Sequence, residues 1–154
     1  MGAALYAIGR MRFAPYRAAA DEYLGRIRHY LPFQEVEFKS DPSSKLSAVQ
    51  IQQKESAQIL GAIAPSTYLC VLDERGKLFS SVEFAKHLGK LQSQAMDMAF
   101  AIGGAYGHHE TLRQRANLVF ALSPLTFPHE LARVLVYEQI YRAMTILKNE
   151  PYHK

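Results

Sequence analysis

The sequence predicts an α/β domain with a mainly parallel sheet covered by helices on both faces. Three observations carry this: short apolar runs alternate with stretches of helical periodicity, strands are separated by helices rather than tight hairpins, and glycine- or proline-marked turns follow buried strands. With 154 residues, 49% of them hydrophobic and 21% charged, one domain spanning residues 1–154 is expected.

The pattern opens with a strand at residues 4–8 and a helix over 15–30, where Tyr16, Ala20, Tyr23, Leu24 and Ile27 recur at helical spacing. Residues 33–38 alternate as a strand does, and Asp41-Pro42-Ser43-Ser44 reads as a turn-rich loop. A helix over about 46–63 leads into a strand at 68–72, followed by a polar loop at 73–77. Ser80 or Ser81 can cap the next helix, with Glu83 in its first turn. A buried strand at 98–102 ends at Gly103-Gly104 and precedes a helix over about 109–116. A further strand at 118–122 is broken by Ser123-Pro124, and the last helix runs from near Pro128 to about Lys148.

In parallel sheets ligands sit beyond the carboxyl ends of neighbouring strands, so the turns after Leu72, Ile102 and Leu122 matter most. The run 103–107 (Gly-Gly-Ala-Tyr-Gly) is either a plain tight turn or a place where backbone approaches a ligand. It is neither a P-loop nor a dinucleotide fingerprint. The run 122–127 (Leu-Ser-Pro-Leu-Thr-Phe) is an apolar loop that something must cover, a partner subunit or the wall of a ligand pocket.

In the last helix Glu138, Arg142, Thr145 and Lys148 form a polar stripe and Val136, Tyr137, Ile140, Met144 and Leu147 an apolar one. Arg133 falls within the apolar stripe and in the first turn, where the helix dipole disfavours a cation, so an anion is expected beside it. A carboxylate from another subunit and a substrate phosphate are the two candidates. The width of the apolar face suggests a dimer partner.

The net charge of +4 permits a polyanionic partner without demanding one. Cys70, the single cysteine, lies in an apolar run and is expected to be buried in a reducing compartment. No apolar run approaches a membrane span and no leader pattern is seen at the N-terminus, which points to a cytoplasmic protein. The six histidines match no zinc spacing, so no metal is expected. The chain closes on Pro151-Tyr152-His153-Lys154, which is either a frayed end or an aromatic, a titratable imidazole and a cation placed for a nucleotide.

The segments 100–107 (Phe-Ala-Ile-Gly-Gly-Ala-Tyr-Gly) and 121–129 (Ala-Leu-Ser-Pro-Leu-Thr-Phe-Pro-His), Arg133 through Tyr141-Arg142-Ala143, and the closing Pro-Tyr-His-Lys together resemble the ribosomal RNA large subunit methyltransferase H family. These are pseudouridine N3-methyltransferases of the SPOUT superfamily, and the likeness spans essentially the whole chain. The resemblance implies a deep C-terminal trefoil knot, a homodimer, and S-adenosylmethionine held by Leu72, Gly103, Gly104, Leu122, Ser123, Pro124, Leu125, Thr126 and Phe127. It also implies a substrate pseudouridine in a stem-loop of large-subunit rRNA within assembled ribosomes. Gly2-Ala3-Ala4 stands where the family usually has a basic residue, and Ala105-Tyr106 differ from its commoner glycine-loop residues.

On this reading His153 is the general base, Tyr152 places the nucleobase, and Arg133 or Arg142 holds phosphate or an anionic oxygen. A non-catalytic ribosome-binding factor of the same fold is the rival.

Overall fold

A computed structural model of the chain describes residues 1–40 and 45–154; the turn expected at 41–44 lies outside the described residues. The elements run β1 (Ala3–Ile8), α1 (Ala14–Ile27), β2 (Phe33–Phe38), α2 (Ala48–Ala62), β3 (Tyr68–Leu78), α3 (Ser81–Ser93), β4 (Met98–Ile102), α4 (Glu110–Arg115), β5 (Leu118–Ala121) and α5 (His129–Leu147). The five strands form one sheet in the order β2-β1-β4-β3-β5, with every neighbouring pair parallel.

Both sheet faces are buried, as the near-continuous apolar strands require. Leu5, Cys70, Phe100 and Ile102 point into a core shared with α1, α3 and α5. Their neighbours Ile8, Leu69, Val71, Ala99 and Ala101 point the other way, against Ile59 of α2 and Leu112 of α4. Cys70 is fully buried, which pushes its thiol up to about 12 and leaves it protonated.

Local sequence sets the helix starts. Ser47 and Ser80 each form a capping box, with Gln50 and Glu83 returning a side chain to the cap backbone. Pro128, expected inside α5, is instead its N-cap residue, with α5 beginning at His129.

The polar segment 73–77 departs from the plain loop expected of it. Leu72 and Lys77 both pair with Phe120 of β5, so residues 73–76 leave the ladder and the strand then rejoins it. Gly76 makes the return possible: a Cβ there would stand 2.5–2.6 Å from the backbone of Phe120.

Arg133 is 1% exposed, and the anions it was expected to need come from β2 of the same chain rather than from another subunit. Its Nη1 lies 3.6 Å from Glu35 and 3.5 Å from Glu37, and its Nη2 donates to the carbonyl of Gly9 at 2.8 Å. Arg17 donates to the same two carboxylates, at 2.8 and 3.3 Å, and the Tyr137 hydroxyl donates to Glu35 in a short contact. Two cations thus face two carboxylates over the β2 side of the sheet, which balances the buried charge, although Nε and Nη1 of Arg133 have no hydrogen-bond partner among the described residues.

Most of the wide apolar face of α5 is covered within the chain, with Leu131 and Leu135 left half-buried. The helix packs on the sheet and against both α1 and α3, and none of its residues is fully exposed. No described helix is long and apolar enough to cross a membrane.

Replacing Gly76 by Ala should destabilise the protein by about 1–3 kcal/mol, because Phe120 backbone cannot move aside without breaking the β3–β5 ladder. Urea unfolding measures this; an unchanged midpoint would show that the return strand has room.

Candidate active site

The excursion within β3 and the turns leaving β4 and β5 enclose a cavity of about 560 Å³, a size usual for a small-molecule site. Leu72, Gly103, Gly104, Leu122, Leu125, Thr126 and Phe127 all border it, so the three turns selected from the sequence meet in one place. Ser123 and Pro124 do not border it. Ser123 shapes the turn instead, its Oγ accepting from the Leu125 N–H at 3.0 Å.

The glycine turn is a close-packed wall. Gly107 has φ +76°, a left-handed conformation suited to glycine, and its N–H donates to the Gly104 carbonyl at 3.0 Å. A Cβ on Gly103 would lie 3.1 Å from the Gly107 carbonyl carbon, and one on Gly104 would lie 3.0 Å from Glu55 Oε2 and 3.1 Å from Ile8 Cγ2. Helix α2 clamps this turn from outside. Gln52 Nε2 donates to the Tyr106 carbonyl at 2.5 Å, and Ser56 Oγ accepts from the His109 N–H at 2.9 Å.

The opposite wall is charged, a feature the sequence reading missed. Asp73 accepts from the Arg75 N–H at 2.9 Å, from Arg75 Nε at 3.1 Å and from Arg113 Nη1 at 3.2 Å. Burial alone would raise its pKa, but the Arg75 hydrogen bonds and the Arg113 charge outweigh burial and hold it down to about 2. Arg113 also donates to Glu110 at 2.7 Å and to the His108 carbonyl at 2.9 Å, tying the β3 detour to α4. The signal was available: an Asp beside an Arg at the exit of a parallel strand.

His108 borders the cavity too, yet it is buried and its Nε2 has no hydrogen-bond partner among the described residues. Burial lowers its pKa to about 4, Asp73 partly opposing and Arg113 adding to the effect, so the ring is neutral.

The tail residues gather elsewhere. Arg142 donates to Glu138 Oε1 at 2.9 Å, Tyr152 donates to the same oxygen at 2.9 Å, and the Arg142 guanidinium lies 4.7 Å from the Tyr152 ring centroid. Nδ1 of His153 is 3.3 Å from Arg142 Nη1, and since a guanidinium only donates, Nδ1 is the acceptor there. The tail is therefore docked, not frayed. None of these three residues borders the cavity, whose nearest α5 residues are His129 and Ala132. From His129 to Arg142 the helix rises roughly 20 Å. Within one chain the structure thus separates the cavity from Arg142, Tyr152 and His153, and it places Arg133 beneath the turn after β1.

The apolar turn 122–127 stays uncovered: Leu125 is 73% exposed and Phe127 36%. Val82 and Leu78 add further exposed apolar surface.

Residues 1–153 match a family described as "Predicted SPOUT methyltransferase". The chain is 39% identical to a ribosomal RNA large subunit methyltransferase H from Gemmatimonas aurantiaca over 154 residues, all of both chains. It is 42% identical over 147 residues to the protein of the same name from Trichlorobacter lovleyi, covering 95% of each. Among solved structures, a probable methylase family protein from Haemophilus influenzae Rd KW20 aligns with a TM-score of 0.56 at 14% identity. That alignment covers 99% of this chain and 70% of the other, and it supports the fold alone.

The neutral His108 generates a pH prediction. The folded ring titrates at about 4 against 6.5 for a free histidine, so between those values the unfolded chain binds a proton that the fold refuses. Stability should fall as pH drops from about 6.5 to about 4, by up to roughly 3 kcal/mol for the full shift. His108→Leu should flatten that slope in thermal unfolding; an unaltered slope would place the titration on another group.

Proposed function

The chain belongs to the SPOUT methyltransferase family, and on that premise we propose that it methylates N3 of a pseudouridine in large-subunit ribosomal RNA, on assembled ribosomes, using S-adenosylmethionine. The observation that carries this reading is the meeting of three strand-end turns around one cavity in a chain similar over its whole length to large subunit methyltransferases H.

The cavity suits the donor in size and in the character of its walls. Gly103 and Gly104 let backbone close on a flat, polar-edged group, Leu122, Leu125 and Phe127 supply apolar contact, and the ionised Asp73 with Arg75 and Arg113 faces charged ends. Leu72 and Thr126 complete the donor site on this reading, with Ser123 and Pro124 shaping the turn that carries Leu125 to Phe127. A methyl on a sulfonium centre is already activated: its carbon passes to N3 while the carbon–sulfur electron pair stays on sulfur. The protein has to align the reactants, exclude water and take up the N3 proton.

We assign that proton to His153, with Tyr152 placing the base and Arg142 holding an anionic oxygen. Its Nδ1 lone pair now accepts from Arg142. When Arg142 turns to the substrate oxygen, Nδ1 becomes free to take the proton. Arg133 acts as a positioning residue under this reading, since its charge is met by Glu35 and Glu37.

Because tail and cavity lie at opposite ends of α5, the working site combines the cavity of one protomer with the tail of another. A homodimer, built over the exposed turn 122–127, meets both needs, and the family's deep trefoil knot would fix that turn in place. The enzyme works in the cytoplasm, where ribosomes are assembled.

Unmodified ribosomes incubated with the protein and methyl-labelled donor should acquire label on one pseudouridine, located by mass spectrometry. Binding of donor with no transfer would favour a non-catalytic ribosome-binding factor. His153→Ala should slow transfer by roughly 10²–10⁴-fold with donor affinity unchanged in calorimetry; undiminished turnover would remove His153 from proton transfer.

A further inference from the structure

The turn that follows β1 combines a rigid backbone with free side chains. Gly9 has φ +87°, its N–H donates to the Phe38 carbonyl, and its own carbonyl accepts from the buried Arg133. The Met11 N–H donates to Glu37 at 3.2 Å, and Met11 itself is buried. The N–H groups of Arg12 and Phe13 both donate to Glu130 Oε1, at 2.5 and 3.1 Å. Every step from 9 to 13 except Arg10 is thus anchored by its backbone, in large part to the ionic network beneath α5.

The side chains behave oppositely. Arg10 and Arg12 are exposed, and neither guanidinium has a hydrogen-bond or ion-pair partner among the described residues. Phe13 is 54% exposed and meets Tyr16 in a T-shaped ring contact at 4.9 Å, with over half of its surface open. Lys39, beside the Phe38 carbonyl that anchors Gly9, is exposed as well. Among the described residues these cations have no polar partner and Phe13 has only its ring contact with Tyr16, although two arginines close in sequence repel one another.

Position decides what they meet. β1 neighbours β4 in the sheet, so this turn emerges next to the glycine turn, and Ile8 touches the Gly104 position. Glu130, which holds Arg12 and Phe13, directly follows His129 on the cavity wall.

We propose that the turn at residues 9–13 is an RNA-gripping arm at the mouth of the cavity, with Arg10 and Arg12 pairing with backbone phosphates and Phe13 stacking on an unpaired base. The inference rests on the rRNA reading above for its substrate and adds to it a docking surface. Free guanidiniums suit phosphate, an open aromatic face suits any nucleobase, and a backbone fixed in advance spares the ordering cost on binding. An acidic protein surface would satisfy the arginines and leave Phe13 in water.

The test follows binding of labelled full-length protein to large-subunit rRNA transcript and to unmodified ribosomes, from about 50 to about 200 mM salt. The Arg10→Ala/Arg12→Ala variant should bind at least roughly tenfold more weakly near the middle of that range, with the log–log salt slope reduced by roughly 1.4 for two single-strand phosphates. Arg10→Lys/Arg12→Lys should restore the slope, and Phe13→Ala should weaken binding with the slope unchanged. Calorimetric affinity for S-adenosylmethionine should be the same in all, since none borders the donor cavity. Equal slopes for wild type and the double Ala variant overturn the proposal, as does a loss seen on ribosomes but not on rRNA, which would mark a protein partner. A wild type that grips RNA through these arginines yet transfers no methyl overturns the transferase reading and leaves the arm standing. Undiminished methylation of ribosomes by the double variant, at unchanged KM, does the reverse.

Discussion

A sheet whose strands all run one way has a single edge at which their outgoing turns can meet. The order β2-β1-β4-β3-β5 makes that edge do several things at once. The excursion within β3 and the turns after β4 and β5 wall one cavity, and the turn after β1 lies beside them. β3 contributes twice, because it leaves the ladder at Leu72 and returns at Lys77 against the same Phe120. The excursion carries Asp73 and Arg75 to the cavity wall, and Gly76 is the residue whose lack of a side chain lets the strand come back. The site is therefore a consequence of strand direction and one close backbone approach.

The ionic network beneath α5 is the second constraint. Arg133, Arg17, Glu35, Glu37 and Tyr137 join α5, α1 and β2, and through Gly9 and Met11 they set the turn after β1. Buried charge of this kind contributes little net stability compared with apolar packing, but breaking one member leaves others uncompensated. Its value lies in fixing geometry: α5 cannot slide along the sheet without abandoning two carboxylates, so His129 and Glu130 keep their station at the cavity.

Much of this was legible in the sequence. The strands at 4–8, 33–38, 98–102 and 118–122 announced themselves as apolar or alternating runs, and the strand-end rule selected the turns that do converge. The two serine caps were legible because a capping box is a local pattern. What escaped was non-local. Strand alternation puts Glu35 and Glu37 on the same side of β2 as the buried Phe33, a local hint that Arg133 has partners within its own chain, but the pairing itself depends on α5 packing over β2. The polar run 73–77 carries no sign of returning to the sheet, since that depends on Phe120 lying alongside. The breadth of the apolar face on α5 suggested a second subunit; α1, α3 and the sheet cover most of it, leaving Leu131 and Leu135 half-buried and the apolar turn 122–127 exposed. The distance from cavity to tail was readable in principle from helix length, because a nineteen-residue α-helix keeps its two ends apart.

That separation makes subunit mixing the most direct test of the central claim, a site built from the cavity of one protomer and the tail of another. A chain whose cavity wall is distorted by Gly104→Val, where a side chain would press on Glu55 and Ile8, and a chain carrying His153→Ala are each expected to be inactive as homodimers. Unfolded and refolded together in equal amounts, they form mixed dimers as about half the population, each holding one intact cavity opposite one intact tail. The account predicts that methyl transfer to unmodified ribosomes returns to roughly a quarter of the wild-type rate, the statistical share of composite sites for a two-fold dimer. A mixture that stays as inactive as its parents, while mass spectrometry shows mixed dimers present, would contradict it.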